Sequence, residues 1–231
     1  MIRTVILAAL AATASAPAFA AERNFSVTTF DRVRVEGPFA VRLETGRAPS
    51  ARASGSQQAL EGVSVTVQGR TLIVRPNRSS WRGYPGQAAG PVSIALSTHE
   101  LGKAALNGSG SLAIDRVKGL TFEATVHGSG GMSIEDVAVD RLSAGIVGAG
   151  TMELSGKTLK ASLLASGPSS LDAAGLEAKD ATIAADGPAT VSLSVGNTAQ
   201  VGGSGTGVVT LDGRPACSLR VTGSLSVSGC R

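Results

Sequence analysis

The chain has few of the side chains that build wide cores or reactive centres. Its 231 residues include one Trp, one Tyr and five Phe, so aromatics are 3% of the whole. A wide globular core would carry more of them, and here small and aliphatic residues must do the filling. There are two histidines, His99 and His127, and two cysteines, Cys217 and Cys230. No Cys-x-x-Cys pair, Gly-x-Ser-x-Gly elbow or Gly-x-Gly-x-x-Gly nucleotide loop occurs. The net charge of +4 is modest. Its carriers are scattered: Arg32, Arg34, Arg42, Arg47, Arg52, Arg70, Arg75, Arg78 and Arg82. Most alternate with apolar neighbours and read as outward, solvated strand positions. A functional counterpart would be weak attraction to anionic glycans or lipopolysaccharide. Nucleic-acid binding needs a denser basic stripe with stacking aromatics, so no such partner is expected.

Long apolar runs are also missing. Arg3, the stretch Val5 to Ala12 and the small-residue site Ala18-Phe19-Ala20 read as a signal peptide over residues 1–20, cleaved after Ala20. The stretch is too short to span a bilayer, and no later segment is long and apolar enough. No Cys lies near the cleavage point to carry a lipid. The expected product is exported, to the periplasm, the cell surface or the medium, with no transmembrane segment. Cys217 and Cys230 flank the last strands, Leu219–Val221 and Leu225–Val227. In an oxidising compartment they would close a loop as a disulfide, stapling an exposed edge. Free buried thiols or a metal pair are the alternatives, and no His stands near in sequence to complete a zinc site.

What the chain has in abundance is glycine, thirty residues of it, set in a recurring phrase. Gly108-Ser-Gly110 precedes Ser-Leu-Ala-Ile, Gly128-Ser-Gly130 precedes Gly-Met-Ser-Ile, and Gly148-Ala-Gly150 precedes Thr-Met-Glu-Leu. Gly167-Pro168, Gly187-Pro188 and Gly205-Thr-Gly207 continue the series. Copies recur about every twenty residues, the period of a solenoid. Before each turn the chain alternates: Phe122, Ala124, Val126; Leu142, Ala144, Ile146; Ala161, Leu163, Ala165; Ala181, Ile183, Ala185. After it, Leu112 and Ile114, Met132 and Ile134, Met152 and Leu154, Val191 and Leu193 keep the same period of two. One unit is thus a strand, a tight glycine corner, a shorter strand and a second corner. It cannot bury its apolar face alone, but stacked units can. Glycine suits the corner because positive φ costs it nothing, and Pro168 and Pro188 pre-set φ in two copies.

The reading is an all-β, single-stranded parallel β-helix. Roughly ten coils would make a rod on the order of 50 Å long. Residues 21–231 are taken as one domain, with irregular opening coils over 25–102 and regular repeats over 103–231. In the opening, Phe30–Val35 and Phe39–Leu43 alternate about a turn at Glu36-Gly37-Pro38. Val63–Val67 leads through Gln68-Gly69 into Leu72–Val74, as a hairpin or a coil corner. A short helical turn is expected at Leu60-Glu61-Gly62. The stretch from Pro76 to Gly90 breaks the pattern and holds Trp81 and Tyr84 beside Arg78 and Arg82. These four are the candidate ligand-binding residues, with the rings stacking on sugars; the alternative is an insertion that varies without function.

The run Phe30-Asp-Arg-Val-Arg-Val-Glu-Gly-Pro-Phe-Ala-Val-Arg-Leu-Glu-Thr-Gly46, the Val63–Val74 segment and the serial glycine turns resemble a bacterial family. It is the "putative auto-transporter adhesin, head GIN domain" family, and the resemblance runs from about Phe25 to beyond Leu211. It implies a right-handed, pectin-lyase-like β-helix and an adhesive role, and it supplies no catalytic residues.

β-Helices also host polysaccharide lyases and hydrolases, which need clustered carboxylates, or carboxylates holding Ca²⁺ beside a base. The sixth repeat position carries Ala113, Ser133, Glu153, Asp172, Ser192 and Thr210. Glu153 and Asp172 would then be near neighbours on one outer face, the best carboxylate pair in the chain, though a solvated pair without chemistry is the expected reading. Asp115, Glu135 and Asp136 read as corner residues, and His127 has no evident triad partner. The expectation is a non-enzymatic exported rod without cofactor or metal, binding a glycan or another envelope surface component. The alternatives are a carbohydrate-active enzyme with a shallow groove and an envelope scaffold for a protein partner.

Overall fold

The computed structural model describes residues 21–77 and 90–231. The expected leader, residues 1–20, and the candidate residues Arg78, Trp81, Arg82 and Tyr84 lie outside the described residues.

The opening elements are β1 (Ala21–Phe25), β2 (Arg32–Glu36), β3 (Ala40–Thr45), β4 (Ser50–Gly55), helix α1 (Gln57–Glu61), β5 (Val63–Gln68), β6 (Thr71–Pro76), β7 (Ser93–Thr98) and β8 (Lys103–Gly108). Long strands follow: β9 (Ser111–Gly128), β10 (Gly131–Gly148), β11 (Thr151–Ser166), β12 (Ser170–Asp186) and β13 (Thr190–Gly205). The chain closes with β14 (Val208–Asp212), β15 (Ala216–Gly223) and β16 (Ser226–Ser228). Together they form an all-β solenoid of about six turns with coils of roughly 20 residues.

From β9 to β13 each strand pairs in parallel with the next, one coil on. The alternation seen in sequence becomes stacked inward columns. Leu112, Met132, Met152, Leu171, Val191 and Val209 form one, and Phe122, Leu142, Ala161, Ala181 and Ala199 another. All are buried, each larger aliphatic contributing roughly 1.5–3 kcal/mol by leaving water. The second corner expected in each unit is in fact a third short run. On β10 the pairing with β11 covers residues 131–134, 137–139 and 141–147, with a register shift between Ile134 and Val137. That short run turns Val117, Val137, Val139, Leu176, Ala178 and Val195 into the core.

The glycine corners stack directly. Gly128 and Gly148 have φ of +113° and +122°. A Cβ on Gly148 would stand 2.6 Å from the Gly128 carbonyl oxygen, and one on Gly128 2.8 Å from that of Gly108. The corner therefore needs glycine for both its conformation and its spacing.

The opening does not wind in chain order. β2 pairs in parallel with both β6 and β8, and β3 with both β7 and β9. Residues 32–45 thus form the second coil in space, held between one built from β6 and β7 and one built from β8 and the start of β9. The opening strands are continuous with the rod in one sheet, and the count of about ten coils is corrected to about six. Residues 46–102 go partly into a cap: β4 runs antiparallel to β7, β1 antiparallel to β4, and β5 antiparallel to β6. Antiparallel strands cover the parallel edge that the first coil would otherwise expose. The β5–β6 pair is a hairpin, one of the two forms expected. The short helix is present as α1, its first turn capped by the Ser56 hydroxyl, which accepts from the Ala59 N–H at 3.1 Å.

At the far end β15 and β16 pair only with β13 and β14. The Cys217–Cys230 disulfide closes this last coil, with Cα atoms 5.7 Å apart. Among the described residues no helix is long and apolar enough to cross a membrane.

Candidate functional site

With the lumen filled by side chains, chemistry is left to the outward positions. Two outward columns flank the Leu112–Val209 column. One is Ser111, Gly131, Thr151, Ser170, Thr190 and Val208; the other is Ala113, Ser133, Glu153, Asp172, Ser192 and Thr210. The sixth-position set is therefore in register, and Glu153 and Asp172 are partners on adjacent coils. They line a shallow depression of about 410 Å³ together with Ser133, Thr151 and Ser170.

The Asp172 carboxylate is already engaged. Its Oδ1 accepts from the Ser192 hydroxyl at 2.7 Å and from the Ala174 N–H at 3.1 Å. The Ser192 bond first, then the Ala174 N–H, holds this carboxyl below the usual carboxylate range. A carboxyl so held stays ionised, the wrong state for a general acid near neutral pH. No basic residue lines the depression, so the pair lacks the partner a lyase would need. His127 faces outward in register with Asn107 and Val147, neither a proton-transfer partner. No group of three or more His, Cys, Asp or Glu among the described residues could hold a metal ion.

The arginines of the opening, Arg32, Arg34, Arg42, Arg47, Arg52, Arg70 and Arg75, are all exposed. Some are paired: Arg70 with Asp31 at 2.9 Å and Arg47 with Glu44 at 3.0 Å. Such exposed pairs contribute about 0–1 kcal/mol. A groove of about 600 Å³ follows the short run, with Val139, Leu159, Ala178 and Val195 among its lining and Lys157 and Glu177 on it. Sequence reading missed this run. The signal was Val117 and Val137, each three residues beyond the last inward Ile of its strand, a step that the strict alternation hides.

The sequence pattern of the "Putative auto-transporter adhesin, head GIN domain" family matches residues 29–215. The chain belongs to this family. No curated protein sequence matches it. Solved structures share the GIN-domain fold at low identity. A "putative adhesin" from Bacteroides fragilis NCTC 9343 superposes with a TM-score of 0.79 at 17% identity, covering 90% of this chain and 95% of that one. A "putative lipid binding protein" from Parabacteroides distasonis ATCC 8503 gives 0.72 at 20%, covering 91% and 96%. A "putative adhesin" from Parabacteroides merdae ATCC 43184 gives 0.68 at 15%, covering 91% and 96%. At these identities the likeness is one of fold. It agrees with the β-solenoid described above.

Proposed function

We propose that this GIN-domain chain is an exported, non-enzymatic, adhesin-like rod. It binds a glycan or another envelope surface component through its outer faces, without cofactor. Family membership supports an adhesive role, and the disulfide fits an oxidising compartment outside the cytoplasm. The observation that carries the reading is the outer face itself. It presents in-register columns of small hydroxyls, and where Glu153 and Asp172 adjoin on it the Asp172 carboxyl is held ionised by its neighbours with no basic residue lining the depression. A periodic, hydroxyl-rich surface matches a polymeric ligand better than a single reacting bond. Residues 21–231 act as one domain in this reading, and Arg78, Trp81, Arg82 and Tyr84 add sugar stacking.

The test is equilibrium binding of the purified exported protein to glycan and lipopolysaccharide panels, wild type beside Trp81→Ala. Wild type is expected to bind, and Trp81→Ala to bind about tenfold more weakly, the loss of one well-packed ring contact. Equal binding by both removes the loop from the site, and no binding by wild type removes the adhesive role.

A further inference from the structure

Along the regular coils, charged side chains on adjacent coils meet in register, and where they close a pair they meet with opposite signs. Lys103 and Glu123 are partners 2.7 Å apart, Lys157 and Glu177 2.9 Å apart, and Arg116 and Asp136 3.7 Å apart. Two cations adjoin nearer the opening, at Arg32 and Lys103, but each has an acid of its own, Asp31 and Glu123. Arg141 and Lys160 depart from this rule. They are register partners on β10 and β11, and both are exposed. Among the described residues neither has a carboxylate within ion-pair distance.

Two acids stand near in the pattern, and neither lies within ion-pair distance of Arg141 or Lys160. Glu123, one coil back, holds Lys103. Asp180, the register partner of Lys160 one coil on, accepts from the Thr198 hydroxyl at 2.6 Å. Like charges directly opposite each other on a sheet are destabilising. A bound anion between them turns that repulsion into two charge-assisted hydrogen bonds.

The pair also lies in a concave place. A groove of about 520 Å³ on the longest run of the coil is lined by Arg141 and Lys160 with Thr121, Glu123, Ser143, Ser162 and Thr182, the Glu123 carboxylate being paired with Lys103 at 2.7 Å. Ser143, Ser162 and Thr182 are in register on three successive coils. A column of hydroxyls therefore runs beside the two cations. The cations suit a carboxylate, sulfate or phosphate, and the hydroxyl column suits the hydroxyls of a sugar chain lying across the coils.

We propose that Arg141 and Lys160 bind the anionic group of an acidic polysaccharide, with its sugar hydroxyls on the Ser143–Ser162–Thr182 column. This rests on the reading of the chain as a glycan-binding rod and names the charge class of its ligand. The test measures binding of the exported protein to polygalacturonate, lipopolysaccharide and neutral dextran. An Arg141→Gln/Lys160→Gln variant is compared with Lys118→Gln/Lys179→Gln, which removes the same charge from other exposed positions. Wild type and the Lys118/Lys179 variant should bind an acidic glycan alike, and the Arg141/Lys160 variant at least about tenfold more weakly. Binding of polygalacturonate identifies a carboxylate, and binding of lipopolysaccharide that is lost on its dephosphorylation identifies a phosphate. Equal loss in both variants shows net charge acting alone and overturns the site, as does no loss in either. Binding of dextran only, unchanged in both variants, overturns this site and leaves the glycan reading standing. Failure of wild type to bind any of the three overturns both.

Discussion

Gly148→Ala is expected to lower the thermal unfolding midpoint by roughly 10 °C. Two costs add at this position. The backbone sits at φ +122°, where an L side chain is strained by about 1–3 kcal/mol. The new Cβ would also stand 2.6 Å from the Gly128 carbonyl oxygen, and forcing apart well-packed groups costs about 1–3 kcal/mol more. At about 2–4 °C per kcal/mol for a chain of this size, the sum gives that shift. Gly69→Ala is the comparison: its φ is +61°, and nothing lies within 4 Å of an added Cβ. It should lose only the conformational part, roughly a third of the Gly148 effect. Calorimetry of both variants decides. Equal shifts would mean that coil stacking at the corner contributes nothing, and the corner series would lose half of its explanation.

Leu43→Ala should cost about 2–5 kcal/mol, the range for emptying a buried leucine site. Leu43 is fully buried and stacked between Leu96 and Ile114 on the two flanking coils. Because β3 lies between β7 and β9 in space, the loss should appear on both neighbours at once. Amide hydrogen exchange should quicken in Ser93–Thr98 and in Ser111–Ile114 together. If the opening wound in chain order, Val63–Gln68 would loosen with β3 and Ser93–Thr98 would keep its protection.

That second case shows where sequence reading stops. The regular rod was legible because a period near twenty and an alternation of two are both local patterns. Phe122, Leu142 and Ala161 could be aligned by eye, and they stack as aligned. The corners were legible because only glycine tolerates them, and the cysteines because they flank the last coil. The insertion of β2 and β3 between later strands was not legible. Val33, Val41 and Leu43 alternate in the same way whichever coil lies above them, and parallel pairing is long-range. The opening also spends residues on an antiparallel cap, which is why counting residues by twenties overestimated the coils.

The outer faces were only half legible. The repeat alignment placed Glu153 and Ser192 on either side of Asp172, but not the hydrogen bond from the Ser192 hydroxyl that lowers the Asp172 carboxyl. Arg141 and Lys160 are nineteen positions apart, one short of the nominal repeat. Their adjacency depends on the register shift at Ile134/Val137, which no local pattern announces. The Trp81 loop stood out by composition alone, and its role rests on the binding comparison described above.

The central claim is that the rod holds its ligand and leaves it intact. The most direct test incubates the purified exported protein with envelope polysaccharide. Bound fraction and polymer chain length are measured on the same samples. The account predicts saturable binding with the chain length unchanged. Shortened polymer, or new reducing or unsaturated ends that grow with time, would contradict it.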